Sequence, residues 1–181
     1  MEGQSREASA KAVAFASGLR KNVAATGRRW TQWPGGADNL AAVIALIDRI
    51  QARLAMSEES DADAAAACIS DLRAVLEWTT YQSASVATAR ALLVARKTRA
   101  FAERFGLLED PAARLSVLVD SEESLIENVR IKNEYMQTLA AKHPHVGFPP
   151  PLVTLASLVP KPEKKPSRLE LIQQLKKAAK R

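Results

Sequence analysis

The sequence predicts an all-α protein, an elongated antiparallel helical hairpin or bundle with coiled-coil character. Helix-type spacing of apolar residues is the only strong periodicity in the chain, and 33 of its 181 residues are alanine, the best helix former. The length suggests one domain with a tail. We expect a helical body over residues 1–143, a proline-rich extended segment over 144–166 and a short basic helix over 167–181.

The first predicted helix spans residues 5–26. Ser5 is suited to cap its first turn and Gly27 to end it. Its apolar stripe is narrow and consists of Val13, Ala16, Leu19 and Val23. The turn that follows contains Trp30 and Trp33, for which a local anchor is the simpler interpretation and a ligand-stacking pair the alternative.

The second predicted helix spans residues 38–57 and carries a heptad seam. Its apolar residues alternate in spacings of three and four, as in a helix that packs along another helix. We therefore predict that this helical seam binds a partner, through Leu40, Val43, Ile47, Ile50 and Leu54.

The third predicted helix spans residues 61–105, a range without proline or glycine. At 1.5 Å per residue it would be about 67 Å long. Small residues dominate 83–91, where a partner helix could approach closely. Gly106 is suited to end the helix.

The fourth predicted helix spans residues 111–142. Asp110 is suited to its N-cap and Pro111 to its first position, and the short connection favours an antiparallel return. Its acidic residues, including Glu122, are expected on the solvated face. It should end before Pro144, which disfavours helix at the preceding residue.

The C-terminal region combines an apolar extended segment with a basic end. Residues 144–166 are too apolar for a free linker, and they fit either a strap along the helices or a docking peptide for another subunit. Residues 167–181 form an amphipathic helix that opens with a capping box, Ser167 to Glu170.

Charge is concentrated in the last 21 residues, which we call the basic arm. The chain has 26 Lys+Arg and 20 Asp+Glu, yet residues 1–160 hold 18 of each sign, so the net charge of +6 belongs to residues 161–181. Such an arm attracts acidic proteins, nucleic-acid phosphates or anionic lipids, although base stacking is disfavoured because it has no aromatic residue. Its bases are Lys161, Lys164, Lys165, Arg168, Lys176, Lys177, Lys180 and Arg181.

Catalytic signatures are missing from the sequence. There is no phosphate-binding loop and no nucleophile motif. His143 and His145 are the only histidines and Cys68 the only thiol, too few for a predictable metal site. We therefore predict no enzyme activity, no catalytic residue, no cofactor and no metal.

Cysteine usage and hydropathy favour an intracellular, reducing compartment. The single Cys68 excludes an internal disulfide, and no apolar run reaches the length of a membrane span. Residues 5–30 have the composition of a mitochondrial transit segment, but we favour the cytoplasm or nucleus.

One stretch resembles a known family. Residues 117–128 read VLVDSEESLIEN, and they are followed by Lys142-His143 and by 149–152, PPPL. This part of the chain resembles the C-terminal part of the second subunit of the augmin complex. The resemblance implies a cytoskeletal, microtubule-associated assembly subunit.

These patterns favour a non-enzymatic scaffold or assembly subunit of a multiprotein complex, which presents the basic arm to an acidic partner. Alanine buries little area, so the core is expected to be thin and to gain from packing against other helical proteins. A nucleic-acid-binding or nuclear protein is one alternative. A peripheral subunit of a cytoskeletal or organelle-membrane complex is another.

Overall fold

The computed structural model describes residues 2–56, 62–106 and 111–158. Within these ranges the chain is helical, without strands, which confirms the all-α class. The helices are α1 (Glu2–Thr26), α2 (Gly36–Met56), α3 (Ala62–Phe105), α4 (Pro111–Lys142) and the short α5 (Leu155–Leu158), and a 3-10 turn (Gly27–Gln32) joins α1 to α2. The predicted cap Asp110, the basic arm and the predicted C-terminal helix lie outside the described residues.

The central helix is α3, against which α1, α2 and α4 all pack. Helix α2 runs antiparallel to it, because Arg53 near the end of α2 pairs with Asp71, whereas Asn39 near its start bonds to Gln82. Helix α4 is also antiparallel. Tyr135 near its end lies 4.3 Å from the ring of Tyr81, whereas Glu122 nearer its start pairs with Arg99 further along α3.

The core is centred on two tryptophans. Trp30 and Trp78 are almost fully buried and meet edge to face, with ring centroids 6.4 Å apart. On its other side Trp78 stacks on Phe148 at 6.1 Å. Trp30 also donates its indole N–H to the Ser83 hydroxyl at 3.1 Å. Trp30 is therefore an anchor between helices, and it occupies the small-residue stretch of α3 where we expected a partner helix.

The turn before α2 needs a glycine. A Cβ atom on Gly36 would lie 1.8 Å from the backbone oxygen of Trp30, closer than any side chain tolerates. Gly35 before it has a φ of 75°, in the region that favours glycine. This close approach brings α2 back alongside α1, where Arg20 pairs with Asp48.

Residues 143–154, which we call the connecting segment, cross three helices between α4 and α5. Asn39 of α2 donates to the carbonyl of Pro150, and Gln82 of α3 accepts from the N–H of Leu152. Asn133 of α4 donates to the carbonyl of Val153, whose side chain is fully buried. One amide side chain from each helix thus satisfies a backbone group that lacks secondary structure.

Four details differ from the sequence prediction. Helix α1 begins at Glu2, so Ser5 lies inside the helix instead of at its N-cap. The buried stripe of α1 uses Ala12 instead of Val13, which is 43% exposed. Glu122 is buried, because two arginines of α3 pair with it. Residues 155–158 of the predicted extended segment form α5, whose first turn is closed by Thr154 and Ser157.

Candidate functional site

The helical seam of α2 is covered by this chain itself. Val43, Ile47, Ile50 and Leu54 are buried in the core, and Leu40 is partly buried against it. The prediction that these five residues bind another protein is therefore corrected, because α1 and α3 already pack against α2. Heptad spacing shows that a helix face needs cover, but it does not show which helix supplies the cover.

Among the described residues, an open row of apolar side chains lies at the far end of α3. No residue of 93–106, which we call the distal segment, is buried. Val94, Phe101 and Phe105 are 63%, 57% and 55% exposed. Spacings of seven and four place these three side chains along one face of the helix, and the two phenylalanine rings contact each other at 4.6 Å.

The exposed charges beside this apolar row are mainly basic. Lys97 and Arg104 are exposed, and the guanidinium of Arg104 lies 5.5 Å from the ring centroid of Phe105. Arg99 is engaged elsewhere, because it pairs with Glu122 of α4 at 2.8 Å. The surface therefore combines aromatic side chains with positive charge, a combination that suits an acidic and partly apolar ligand.

An ion cluster supports the base of the distal segment. The Glu122 side chain is 10% exposed and pairs with Arg96 at 3.3 Å as well as with Arg99. Arg96 also donates to the carbonyl of Leu158 at 2.6 Å, which ties α5 to the same point. Paired arginines compensate the buried carboxylate, so this cluster holds α3, α4 and α5 together.

A second polar cluster lies at the opposite end of the body. The carboxylate of Asp71, with a side chain 5% exposed, receives a hydrogen bond of 2.8 Å at Oδ1 from Nε2 of His145. Nδ1 of His143 lies 3.6 Å from the same oxygen. Arg53 of α2 donates to Oδ2 at 2.5 Å. This cluster joins α2, α3 and the start of the connecting segment.

The single thiol is near this cluster but faces the core. Cys68 precedes Asp71 by one helical turn, and its Sγ lies 3.8 Å from the carbonyl oxygen of Ile50. Burial raises the pKa of the Cys68 thiol, and the charge of Asp71 acts in the same direction against the opposing effect of Arg53. The thiol is thus kept protonated and behaves as a small apolar side chain.

Sequence reasoning missed Asp71 as a site residue. The two histidines stood out as a pair, but their carboxylate partner is 72 and 74 positions earlier in the chain. The sequence did contain a signal, because Asp71 is an acid among apolar residues of α3. It lies next to Leu72 and within one turn of Cys68 and Val75. An acid at such a position is rarely left without a partner.

No family model matches this chain, and no curated protein or solved structure matches it. The resemblance of residues 117–128 to an augmin subunit therefore stays a sequence-based hypothesis. None of the helices in the three described ranges is long and apolar enough to cross a membrane.

Proposed function

We propose that this chain is a non-enzymatic helical assembly subunit that binds an acidic helical partner through the distal segment and the basic arm. The observation that carries the proposal is the exposed row of Val94, Phe101 and Phe105 at the end of a helix that is otherwise well covered. Chains that act alone rarely leave aromatic side chains aligned and open in this way.

Helix-on-helix docking is the mode that fits this row. Side chains at positions i, i+7 and i+11 lie along one helical face and can form a ridge that packs into a groove between side chains of an apposed amphipathic helix. Two phenylalanines supply the large anchors that dominate binding energy at interfaces. The partner would present leucine or similar side chains opposite this row.

Charge favours an acidic partner. Lys97 and Arg104 flank the row, and the basic arm adds the net charge of +6. Complementary charge steers association and excludes basic competitors, with a dependence on salt. The arm follows the described part of the chain, so the proposal assigns it a supporting role in attracting the partner.

The experiment compares two triple variants in the cells that naturally make the protein. Val94, Phe101 and Phe105 are changed to serine in one variant. In the control, three exposed apolar residues outside the distal segment are changed to serine, namely Val13, Met56 and Ile131. We expect a stoichiometric partner to co-purify with the wild type and the control but not with the distal variant. Both variants should keep the melting temperature of the wild type within a few degrees.

A photo-crosslinking amino acid at Phe101 identifies the partner directly. Crosslinks at this position, and none at Met56, would support the proposal. Retention of the partner by the distal variant would contradict it. Deleting residues 161–181 separates the alternatives: a nucleic-acid-binding protein would lose a salt-sensitive affinity for duplex DNA or RNA, whereas an assembly subunit would bind its protein partner more slowly.

A further inference from the structure

Asp71, His143 and His145 bring three metal-ligating side chains to one point. One ligand atom of each lies within 4.8 Å of the other two. We propose that this cluster binds a divalent transition-metal ion, with Zn²⁺ as the ion that fits it best. The site is separate from the distal segment, so this proposal and its test do not depend on the proposed function.

The ligand set selects the class of ion. Two imidazole nitrogens and one carboxylate oxygen are typical of zinc and related divalent ions, in sites with three protein ligands and one open position. Mg²⁺ and Ca²⁺ prefer sites made of oxygen atoms alone. The only thiol, Cys68, faces the core, so the site contains no sulfur ligand.

Asp71 is positioned as a metal ligand in advance. It lies on the buried part of α3, and Arg53 holds Oδ2 at 2.5 Å, which leaves Oδ1 facing both histidines. Carboxylates that bind metals are commonly oriented by a hydrogen-bond donor on the oxygen away from the ion. The same arginine compensates part of the charge of Asp71 and therefore limits the affinity.

The two histidines flank a proline in a fixed turn. The N–H of His143 bonds to the carbonyl of Leu139 and continues the last turn of α4, and the N–H of Val146 bonds to the carbonyl of His143. This closed turn directs both rings towards α3, with centroids 6.1 Å apart. Few residues need to be ordered when an ion binds, so the entropy cost is small.

A small movement would complete the geometry. Around a tetrahedral zinc ion with bonds near 2.1 Å, ligand atoms are about 3.4 Å apart. The three ligand atoms lie within 4.8 Å of one another, so no separation must close by more than about 1.4 Å. The 2.8 Å between Nε2 of His145 and Oδ1 of Asp71 would open by about 0.6 Å. The histidines can supply this movement, because their side chains are 24% and 55% exposed. When the ion binds, the proton on Nε2 of His145 would be lost to solvent or the ring would take the tautomer protonated at Nδ1, and the hydrogen bond from His145 to Asp71 would be replaced by one bond from each residue to the ion.

The open position has access to solvent. His145 lines a groove of about 470 Å³, together with Val146, Gly147 and residues of α2 that include Arg49 and Arg53. Water or a small anion could reach the ion from this groove and be stabilised by the arginines. We therefore expect three protein ligands, with the fourth supplied from the groove.

The test titrates chelator-stripped full-length protein with Zn²⁺, and with Co²⁺ as a spectroscopic probe. We expect one ion per chain and the visible absorption bands of tetrahedral cobalt. His143→Ala and His145→Ala should each weaken Zn²⁺ binding by at least about 100-fold, because loss of even an outer partner costs 10- to 100-fold. These two variants decide whether histidine binds the ion, because the chain has no other histidine.

Two controls complete the design. Cys68→Ala should bind Zn²⁺ within about threefold of the wild type, and an excess of Mg²⁺ should not displace it. Hydrogen exchange at residues 143–147 should slow when Zn²⁺ is added to the wild type and stay the same in both histidine variants. Absence of one-to-one binding, or binding that survives either histidine substitution, would overturn the proposal.

Discussion

The two parts of α3, from Ala62 to Leu92 and from 93 onwards, share one helix but have opposite surroundings. From Ala65 to Leu92 the helix is covered by α1, α2, α4 and the connecting segment, and it holds Trp78 and Gln82 in full burial. From 93 to 106 it has no buried residue, although it carries two phenylalanines. Both parts of α3 thus carry large apolar side chains. They differ in whether other elements of this chain cover those side chains.

This difference separates stability from binding. Substitutions in the covered part should change the free energy of unfolding, whereas substitutions in the exposed row of Val94, Phe101 and Phe105 should change the retention of a partner. Two comparisons test this division and two test the packing that covers the longer part of α3, from the largest expected effect to the smallest.

Trp78→Ala should destabilise the protein by about 3–5 kcal/mol, the range for a large aromatic removed from a core. The side chain is 1% exposed and contacts both Trp30 and Phe148, so the cavity cannot refill easily. The matched change in the distal segment, Phe101→Ala, should cost less than about 0.5 kcal/mol because the ring is exposed. Urea denaturation followed by circular dichroism measures both. Similar losses of unfolding free energy in the two variants would contradict the difference between the two parts of α3.

Glu122→Ala should cost about 3 kcal/mol, because it leaves Arg96 and Arg99 without their buried partner. This tests whether the base of the distal segment belongs to the cooperative fold. Glu127→Ala is the control on the same helix, since Glu127 is exposed and pairs only locally with Arg130. Denaturation midpoints that move equally for both glutamates would show that the buried ion cluster adds no more stability than an exposed ion pair.

Gly36→Ala should cost about 2 kcal/mol, because its Cβ would overlap the backbone of Trp30 and force the turn to shift. Gly18→Ala is the opposite case. It lies inside α1 with nothing within 4 Å of a new Cβ, so it should stabilise the protein by about 0.5–1 kcal/mol. Thermal melts of both variants test whether each substitution lowers or raises the stability of the protein. A tolerated Gly36→Ala would contradict the close approach of α2.

Gln82→Ala should cost about 1.5 kcal/mol and loosen the connecting segment. It removes the acceptor of the Leu152 N–H, in a partly buried hydrogen bond, and the donor to Asn39, in a buried one. Gln137, an exposed residue of α4, offers the matched control. Amide exchange at Leu152 should accelerate in Gln82→Ala and not in Gln137→Ala. Unchanged exchange would show that the amide is dispensable.

The sequence predicted the bounds of the helices better than it predicted which helices contact each other. The helix stop at Gly106, the start at Pro111 and the spacing in α2 are properties of adjacent residues, which propensity and periodicity describe well. The cover on the seam of α2 and the burial of Glu122 depend on residues distant in the chain. Those contacts are set by tertiary packing, which spacing alone does not encode.

The Asp71 cluster shows the same limit at a site. Two histidines two positions apart were visible in the sequence, but their partners on α2 and α3 became neighbours only when the helices packed. The connecting segment is similar. Its apolar residues predicted cover by helices, and the structure shows Val153 buried, yet the three amide side chains that hold it could not be chosen from composition.

Hydrogen exchange along α3 tests the central division most directly. In the isolated chain, amides of residues 68–92 should exchange only through global unfolding, and those of 97–106 at least about 100-fold faster, because few buried contacts protect them. In the complex recovered with its partner, only the distal amides should slow. Uniform protection along α3 in the isolated chain, or slowing confined to residues 68–92 in the complex, would contradict the assignment of the covered part to the fold and the distal part to binding.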